Sequence, residues 1–72
     1  MITTQKELDA EVFAKQLNPN VKCESGINWN WAYGFSSYDQ AKEFDTYCNK
    51  HGLETRGVYR NSNGTADVRY RS

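Results

Sequence analysis

The segment INWNWAYGF, residues 27–35, constrains the fold of this 72-residue chain more than any other. Large apolar side chains recur at every second position, and asparagine, alanine and glycine stand between them. Such alternation, rich in Trp and Tyr, is typical of a β-strand with one buried face. We therefore expect the apolar side of this strand to lie in the core. That side comprises Ile27, Trp29, Trp31, Tyr33 and Phe35.

Two helices are predicted, one on each side of this strand. Thr4 and Glu7 have the spacing of a capping box, and the helix that they begin should end near Leu17, before an Asn-Pro pair. Ser37 has the same spacing to a glutamine, and the helix that it begins should end at Gly52. The second helix carries a regular apolar stripe, so it is the better specified of the two.

Three further strands complete the prediction. VKCE, residues 21–24, is short and alternating, and it should pair with the aromatic strand. Residues 54–72 form a predicted hairpin around Asn63-Gly64, a pair that favours a two-residue turn. In that register Tyr59 lies opposite Val68. One face of the hairpin then holds Arg56, Val58, Arg60, Asp67, Arg69 and Arg71.

The order of elements is helix, two strands, helix, two strands. Moving the last strand to the front gives the βαββαβ order of ferredoxin-like domains. We predict an α+β two-layer sandwich over residues 1–72, a single domain with a circularly permuted ferredoxin-like plan. Its sheet has four antiparallel strands, with both helices on one face.

Composition excludes several classes of protein. No apolar run approaches the length of a membrane span, and MITTQKELDA lacks the charged and apolar parts of a signal peptide, so we expect a cytoplasmic protein. Cys23, Cys48 and His51 are too few ligands for a zinc site, and we expect both thiols to be reduced. No motif indicates a cofactor or a small-molecule substrate. Cys48 and His51 could form a nucleophilic pair, but the cysteine lies within the apolar stripe, where a buried thiol is unreactive. We therefore do not expect enzymatic activity.

Charge is distributed unevenly although the net charge is zero. All four arginines lie in residues 55–72 with a single acidic residue, whereas residues 1–54 contain five lysines and eight acidic residues. Arginine binds phosphate and carboxylate groups through two parallel hydrogen bonds and stacks on flat surfaces. The arginine face is therefore a candidate contact surface, or simply a solvated face that keeps the sheet soluble.

The segment YGFSSYDQAKEF, residues 33–44, resembles the third strand and second helix of RNA-recognition-motif domains. The resemblance covers about a dozen residues and implies the same sheet topology and RNA binding. The basic residue that the family has before this glycine is missing here. The family also carries stacking aromatics on the uncovered face of its sheet, whereas we expect Trp29 and Trp31 in the core.

Two functions remain open. The first is a small protein-binding module that occludes a partner, as accessory inhibitors of phages and mobile elements do. The alternative is an RNA- or single-stranded-DNA-binding domain that uses the arginine face. Exposed helix residues could add to the protein-binding surface. The candidate contact residues are Arg56, Val58, Arg60, Arg69 and Arg71 of the sheet, with Leu8 and Val12 of the first helix.

Overall fold

The computed structural model describes residues 4–72 and contains two helices and one four-stranded sheet. Residues 1–3, which open the segment compared above with a signal peptide, lie outside that range. The helices are α1 (Gln5–Leu17) and α2 (Tyr38–Lys50), and the strands are β1 (Lys22–Ser25), β2 (Asn30–Phe35), β3 (Glu54–Arg60) and β4 (Ala66–Arg71). No helix within residues 4–72 is long and apolar enough to cross a membrane.

The strands are antiparallel throughout and follow the order β1-β2-β4-β3 across the sheet. When β4 is placed before α1, this is the strand order of the ferredoxin-like plan, and both helices pack on one face of the sheet. The predicted two-layer fold with its permuted order is therefore confirmed.

Local signals place both helices where the sequence predicts them. The hydroxyl of Thr4 accepts a hydrogen bond from the amide of Glu7 at 3.2 Å, and the Glu7 carboxylate accepts one from the amide of Thr4. The hydroxyl of Ser37 likewise accepts a hydrogen bond from the amide of Gln40 at 3.1 Å. The Gln40 side chain accepts from the amide of Ser36 at 2.9 Å, so only half of the predicted capping box is present. At the other end of α2, Gly52 has a φ of +82°. Each helix therefore has its polar backbone groups satisfied near a terminus.

Five of the twelve buried hydrophobic residues in the described part of the core are alanines. These small side chains let the two layers approach closely, and the remaining volume is filled by a few large residues and valines. The fully buried alanines are Ala10, Ala14, Ala32, Ala41 and Ala66, and the largest fully buried side chains are Phe35, Phe44 and Tyr70.

A β-bulge interrupts β2 and places Phe35 on the opposite side of the sheet from Trp31 and Tyr33. Ala32 pairs with Val68 and Phe35 with Ala66, so Tyr33 and Gly34 together lie opposite Asp67. Gly34 adopts a φ of +88°, and its amide donates a hydrogen bond to the Asp67 carboxylate at 3.0 Å. A bulge of this kind shifts the alternation of side chains by one residue.

The predicted core face of this strand is consequently wrong for all but one residue. Phe35 points into the core, and Ala32 and Asn30 lie on the same side. Trp31 and Tyr33 lie on the opposite side of the sheet and are only partly buried, and Ile27 is fully exposed before the strand begins.

The β3–β4 hairpin also differs from its predicted register. Val58 pairs with Val68 and Tyr59 with Asp67, one residue away from the prediction. The loop spans residues 61–65, where the amide of Gly64 donates to the carbonyl of Asn61 at 3.2 Å. Gly64 has a φ of +91°, and no non-glycine residue within residues 4–72 has a positive φ. This is a longer loop with one left-handed glycine, in place of the two-residue turn.

The shifted register corrects the predicted arginine face. Val58 faces the core against Val68, and Arg60 lies on the helix side of the sheet. A second bulge follows, because Arg56 and Gly57 together lie opposite Arg69. The φ of Gly57 is +80°. This bulge returns Arg56 to the side of the sheet that the helices leave uncovered.

Candidate functional site

The sheet surface opposite the helices, here called the open face, collects most of the aromatic and basic side chains of the strands. Residues paired across antiparallel strands point to the same side, so the pairing defines its members. The open face comprises Lys22, Glu24, Trp29, Trp31, Tyr33, Glu54, Arg56, Tyr59, Asp67, Arg69 and Arg71.

Three aromatic rings form two groups on this face, and each group has an arginine over it. The rings of Trp31 and Tyr33 are nearly parallel, at 4°, with centroids 5.5 Å apart. The guanidinium carbon of Arg69 lies 4.9 Å from the Trp31 ring centroid. Trp29 has Arg71 over its ring at 4.0 Å and Arg56 at 5.8 Å. Such contacts are cation–π interactions between flat, weakly hydrated groups.

The arginines of the open face differ in their ionic partners. Arg71 forms an ion pair with Glu54, with Nε 3.1 Å from Oε1. Within residues 4–72, neither Arg56 nor Arg69 has a carboxylate oxygen within 4.0 Å. Their positive charges are therefore not neutralised by direct contact with another described side chain.

The two layers of the protein carry opposite net charge. The helices contain six acidic and four basic side chains, whereas the strands contain five basic and three acidic ones. The zero net charge of the chain is thus the sum of an acidic helix layer and a basic strand layer. Arg60 lies on the helix side of the sheet, so the open face itself carries four basic and three acidic side chains, a net charge of +1.

The structure brings together three of the predicted contact residues and separates the others. Arg56, Arg69 and Arg71 share the open face. Val58 belongs to the core side, and the guanidinium of Arg60 lies 4.2 Å from the ring centroid of Tyr38, at the start of α2.

Leu8 and Val12 are exposed, at 41% and 57%, on α1 in the helix layer. This helix covers the other face of the sheet, so these residues form a surface separate from the open face. They do not add to it, contrary to the idea of one combined contact patch.

Sequence reasoning missed the aromatic members of the open face, because it assigned them to the core. Gly34 was the feature of the sequence that could have indicated the change of side. A glycine inside a strand pattern often marks a bulge, and the side chains after a bulge change sides.

Cys48 is buried, and His51 lies at the C-terminal end of α2. Burial, assisted by the negative charge of Asp45, raises the pKa of the Cys48 thiol to about 12. The His51 ring packs against the Tyr47 ring, with centroids 4.1 Å apart and ring planes tilted by 31°. Cys48 is therefore protonated at neutral pH, and both it and Cys23 are free thiols. Within residues 4–72, no group of three or more His, Cys, Asp or Glu side chains is placed to hold a metal ion.

Comparisons with protein-family models, with curated proteins and with solved structures find no match to this chain.

Proposed function

We propose that the open face binds single-stranded nucleic acid, RNA or DNA. The observation that carries this proposal is the placement of Trp29, Trp31 and Tyr33 on the helix-free face beside arginines that lack carboxylate partners among residues 4–72. Bases stack on aromatic rings whatever their sequence, and cations near the rings attract the phosphates.

The geometry supports stacking at two positions. Trp31 and Tyr33 form one aromatic group and Trp29 the other, and guanidinium planes next to indoles are themselves surfaces on which bases stack. Each base stacked on an aromatic ring contributes roughly 1–3 kcal/mol to binding. Two stacked bases and a small number of phosphate contacts are therefore the scale of ligand that this surface fits.

The direct experiment is a titration of the protein with unstructured oligonucleotides, oligo-dT and oligo-U, followed by tryptophan fluorescence. We expect quenching of the emission when bases stack on the indoles, with weaker binding to a duplex whose bases are already stacked. The affinity should fall as salt rises, with a log–log slope of about −0.7 for each phosphate neutralised on a single strand.

Arginine variants provide a matched control. Arg69 and Arg60 each lie over an aromatic ring, but only Arg69 is on the open face. We expect Arg69→Gln to weaken oligonucleotide binding and Arg60→Gln to leave it unchanged. Equal effects of the two substitutions, or binding that is insensitive to salt, would contradict the proposal.

A protein-binding module is the second candidate, and it includes the possibility of an accessory inhibitor that acts by occlusion. The acidic residues of the open face favour it, since Glu24 and Glu54 lie among the arginines and would repel phosphates. Tyr, Trp and Arg also dominate the residues that carry protein interfaces. Affinity capture with and without nuclease separates the two, because a protein partner stays bound after nucleic acid is digested.

A further inference from the structure

The arginines over the two tryptophans are held in different ways. Arg71 uses three of its donors within the protein: Nε and Nη2 donate to the Glu54 carboxylate at 3.1 and 3.4 Å, and Nη1 donates to the carbonyl of Asn28 at 3.4 Å. Its guanidinium lies 4.0 Å from the Trp29 ring centroid. A guanidinium has five N–H donors, so most of those of Arg71 are already occupied.

Arg69, in contrast, has a guanidinium that is not hydrogen-bonded within the described residues. It lies on β4 directly opposite Trp31. None of its guanidinium N–H groups donates a hydrogen bond to a side chain or a backbone carbonyl within residues 4–72. Its guanidinium lies 4.9 Å from the Trp31 centroid, farther than Arg71 lies from its own indole. Its donors are therefore available to a phosphate, and it can reach one without breaking an ion pair.

Arg71 contacts the segment that carries Trp29. Residues 26–29 form the connection between β1 and β2, closed by a hydrogen bond from the amide of Gly26 to the carbonyl of Trp29 at 2.8 Å. Arg71 ties this connection to β4 through Asn28, and to β3 through Glu54. The ring of Trp29 is thus fixed from outside its own hairpin.

We infer a division of labour within the binding site, which rests on the function proposed above: Arg71 is a positioning residue that holds Trp29 as a preformed stacking surface, whereas Arg69 is the residue that binds phosphate. Preformed geometry lowers the entropy lost when a ligand binds. The charge of Arg71 is already compensated by Glu54, so it adds little to the attraction of phosphates.

Charge-retaining substitutions separate these roles, because lysine keeps the charge of arginine but not its fork of donors. The measurement is oligo-dT affinity as a function of salt. Arg69→Gln should make the salt slope shallower by about 0.7, the value for one phosphate contact on a single strand, and Arg69→Lys should restore it. Arg71→Gln and Arg71→Lys should both weaken binding, by roughly tenfold if stacking on Trp29 is lost, and leave the slope unchanged. Recovery of affinity by Arg71→Lys, or a reduced slope for Arg71→Gln, would overturn the inference.

A second measurement tests the positioning role in the free protein. In a Trp31→Phe background Trp29 is the remaining tryptophan of the two. Quenching by acrylamide, which is uncharged, should increase on Arg71→Gln and equally on Glu54→Gln, which breaks the ion pair from the other side. Unchanged quenching would reject the positioning role even if no oligonucleotide binds. Failure of the wild-type protein to bind oligo-dT would instead reject the proposed function.

Discussion

The side-chain amide of Asn30 in β2 donates a hydrogen bond to the carboxylate of Glu7 in α1, and both residues are buried. The other oxygen of the same carboxylate accepts hydrogen bonds from the backbone amide and hydroxyl of Thr4. One carboxylate therefore caps its own helix and also attaches that helix to the sheet. This contact gives a physical reason for an asparagine at an inward-facing position of a strand.

Substitution of Glu7 should show this double role as a pH-dependent loss of stability. Burial alone would raise the pKa of Glu7, but the hydrogen bonds from Thr4 and Asn30 outweigh it, and the pKa lies below its usual value. The stabilisation is therefore present above pH 4.5 and is lost as the pH falls through the folded-state pKa. We expect Glu7→Gln to reduce the free energy of unfolding by about 1 kcal/mol at pH 7.

Urea unfolding of both proteins at pH 7 and at pH 3 makes this comparison. The difference in unfolding free energy between wild type and Glu7→Gln should shrink at pH 3, because that pH lies below the ordinary pKa of 4.5 at which the unfolded carboxylate takes up a proton. Glu43→Gln, on the exposed side of α2, is the control and should change little at either pH. A difference that is the same at both values would show that the carboxylate charge is not the stabilising feature.

The bulge in β2 should make position 34 sensitive to the backbone preference of the residue placed there. A Cβ on Gly34 would meet nothing within 4 Å, so the cost comes from the φ of +88° alone. Left-handed geometry costs an L-residue roughly 1–2 kcal/mol. Thermal unfolding should rank the variants Gly34→Asn, Gly34→Ala and Gly34→Val in order of increasing destabilisation, because asparagine tolerates this region best and valine least. Three equal melting temperatures would argue against the bulge.

The hairpin loop should be similarly sensitive at Gly64. Its φ of +91° makes Gly64→Val cost more than about 1 kcal/mol. Asn63 contributes its side-chain oxygen, which accepts from the amide and hydroxyl of Thr65 at 3.1 and 2.7 Å. Asn63→Asp retains that acceptor and should leave the melting temperature nearly unchanged. A large loss for Asn63→Asp together with a small one for Gly64→Val would indicate a different turn.

Truncation of aromatic residues should distinguish the two faces of β2. Phe35 is fully buried against Phe44, with ring centroids 5.3 Å apart, so Phe35→Ala should cost about 3–5 kcal/mol. Trp31 is larger but lies on the open face, and we expect Trp31→Ala to cost less than half as much. Denaturant unfolding measures both. The reverse order would place the indole in the core and the phenyl ring outside it.

The Cys48 thiol should react much faster in the unfolded protein than in the folded one. With its pKa raised to about 12 by burial, Cys48 has almost no thiolate at pH 8. In a Cys23→Ser variant, we expect an aromatic disulfide reagent to modify Cys48 quickly in denaturant and very slowly without it. Rapid reaction of the folded variant would mean that the thiol is accessible and ionised.

The helices could be predicted from sequence because their determinants are local. Thr4 and Ser37 satisfy backbone amides three residues ahead, and Gly52 ends α2 through its own φ. None of these contacts depends on the rest of the fold. The strand order followed from the same local elements, since the connections left few ways to pair four strands.

The open face could not be predicted, because the alternation in a strand separates two sides without saying which one the helices cover. Trp31 and Ala32 lie on opposite sides of the strand, and the helices that cover the Ala32 side lie elsewhere in the sequence. Bulges at Gly34 and Gly57 then exchange the sides within β2 and β3. A register difference of one residue in the hairpin moved Val58 inward and Tyr59 outward.

The central place of β4 has a consequence for folding during protein synthesis. This strand is the last of the six elements to leave the ribosome, yet it lies between β2 and β3 and joins them. Until it emerges, the β1–β2 hairpin and β3 have no shared partner, and an isolated hairpin is only marginally stable in water. The four-stranded sheet can therefore be completed only after β4 has emerged. Until then, unpaired strand edges are accessible to chaperones and proteases.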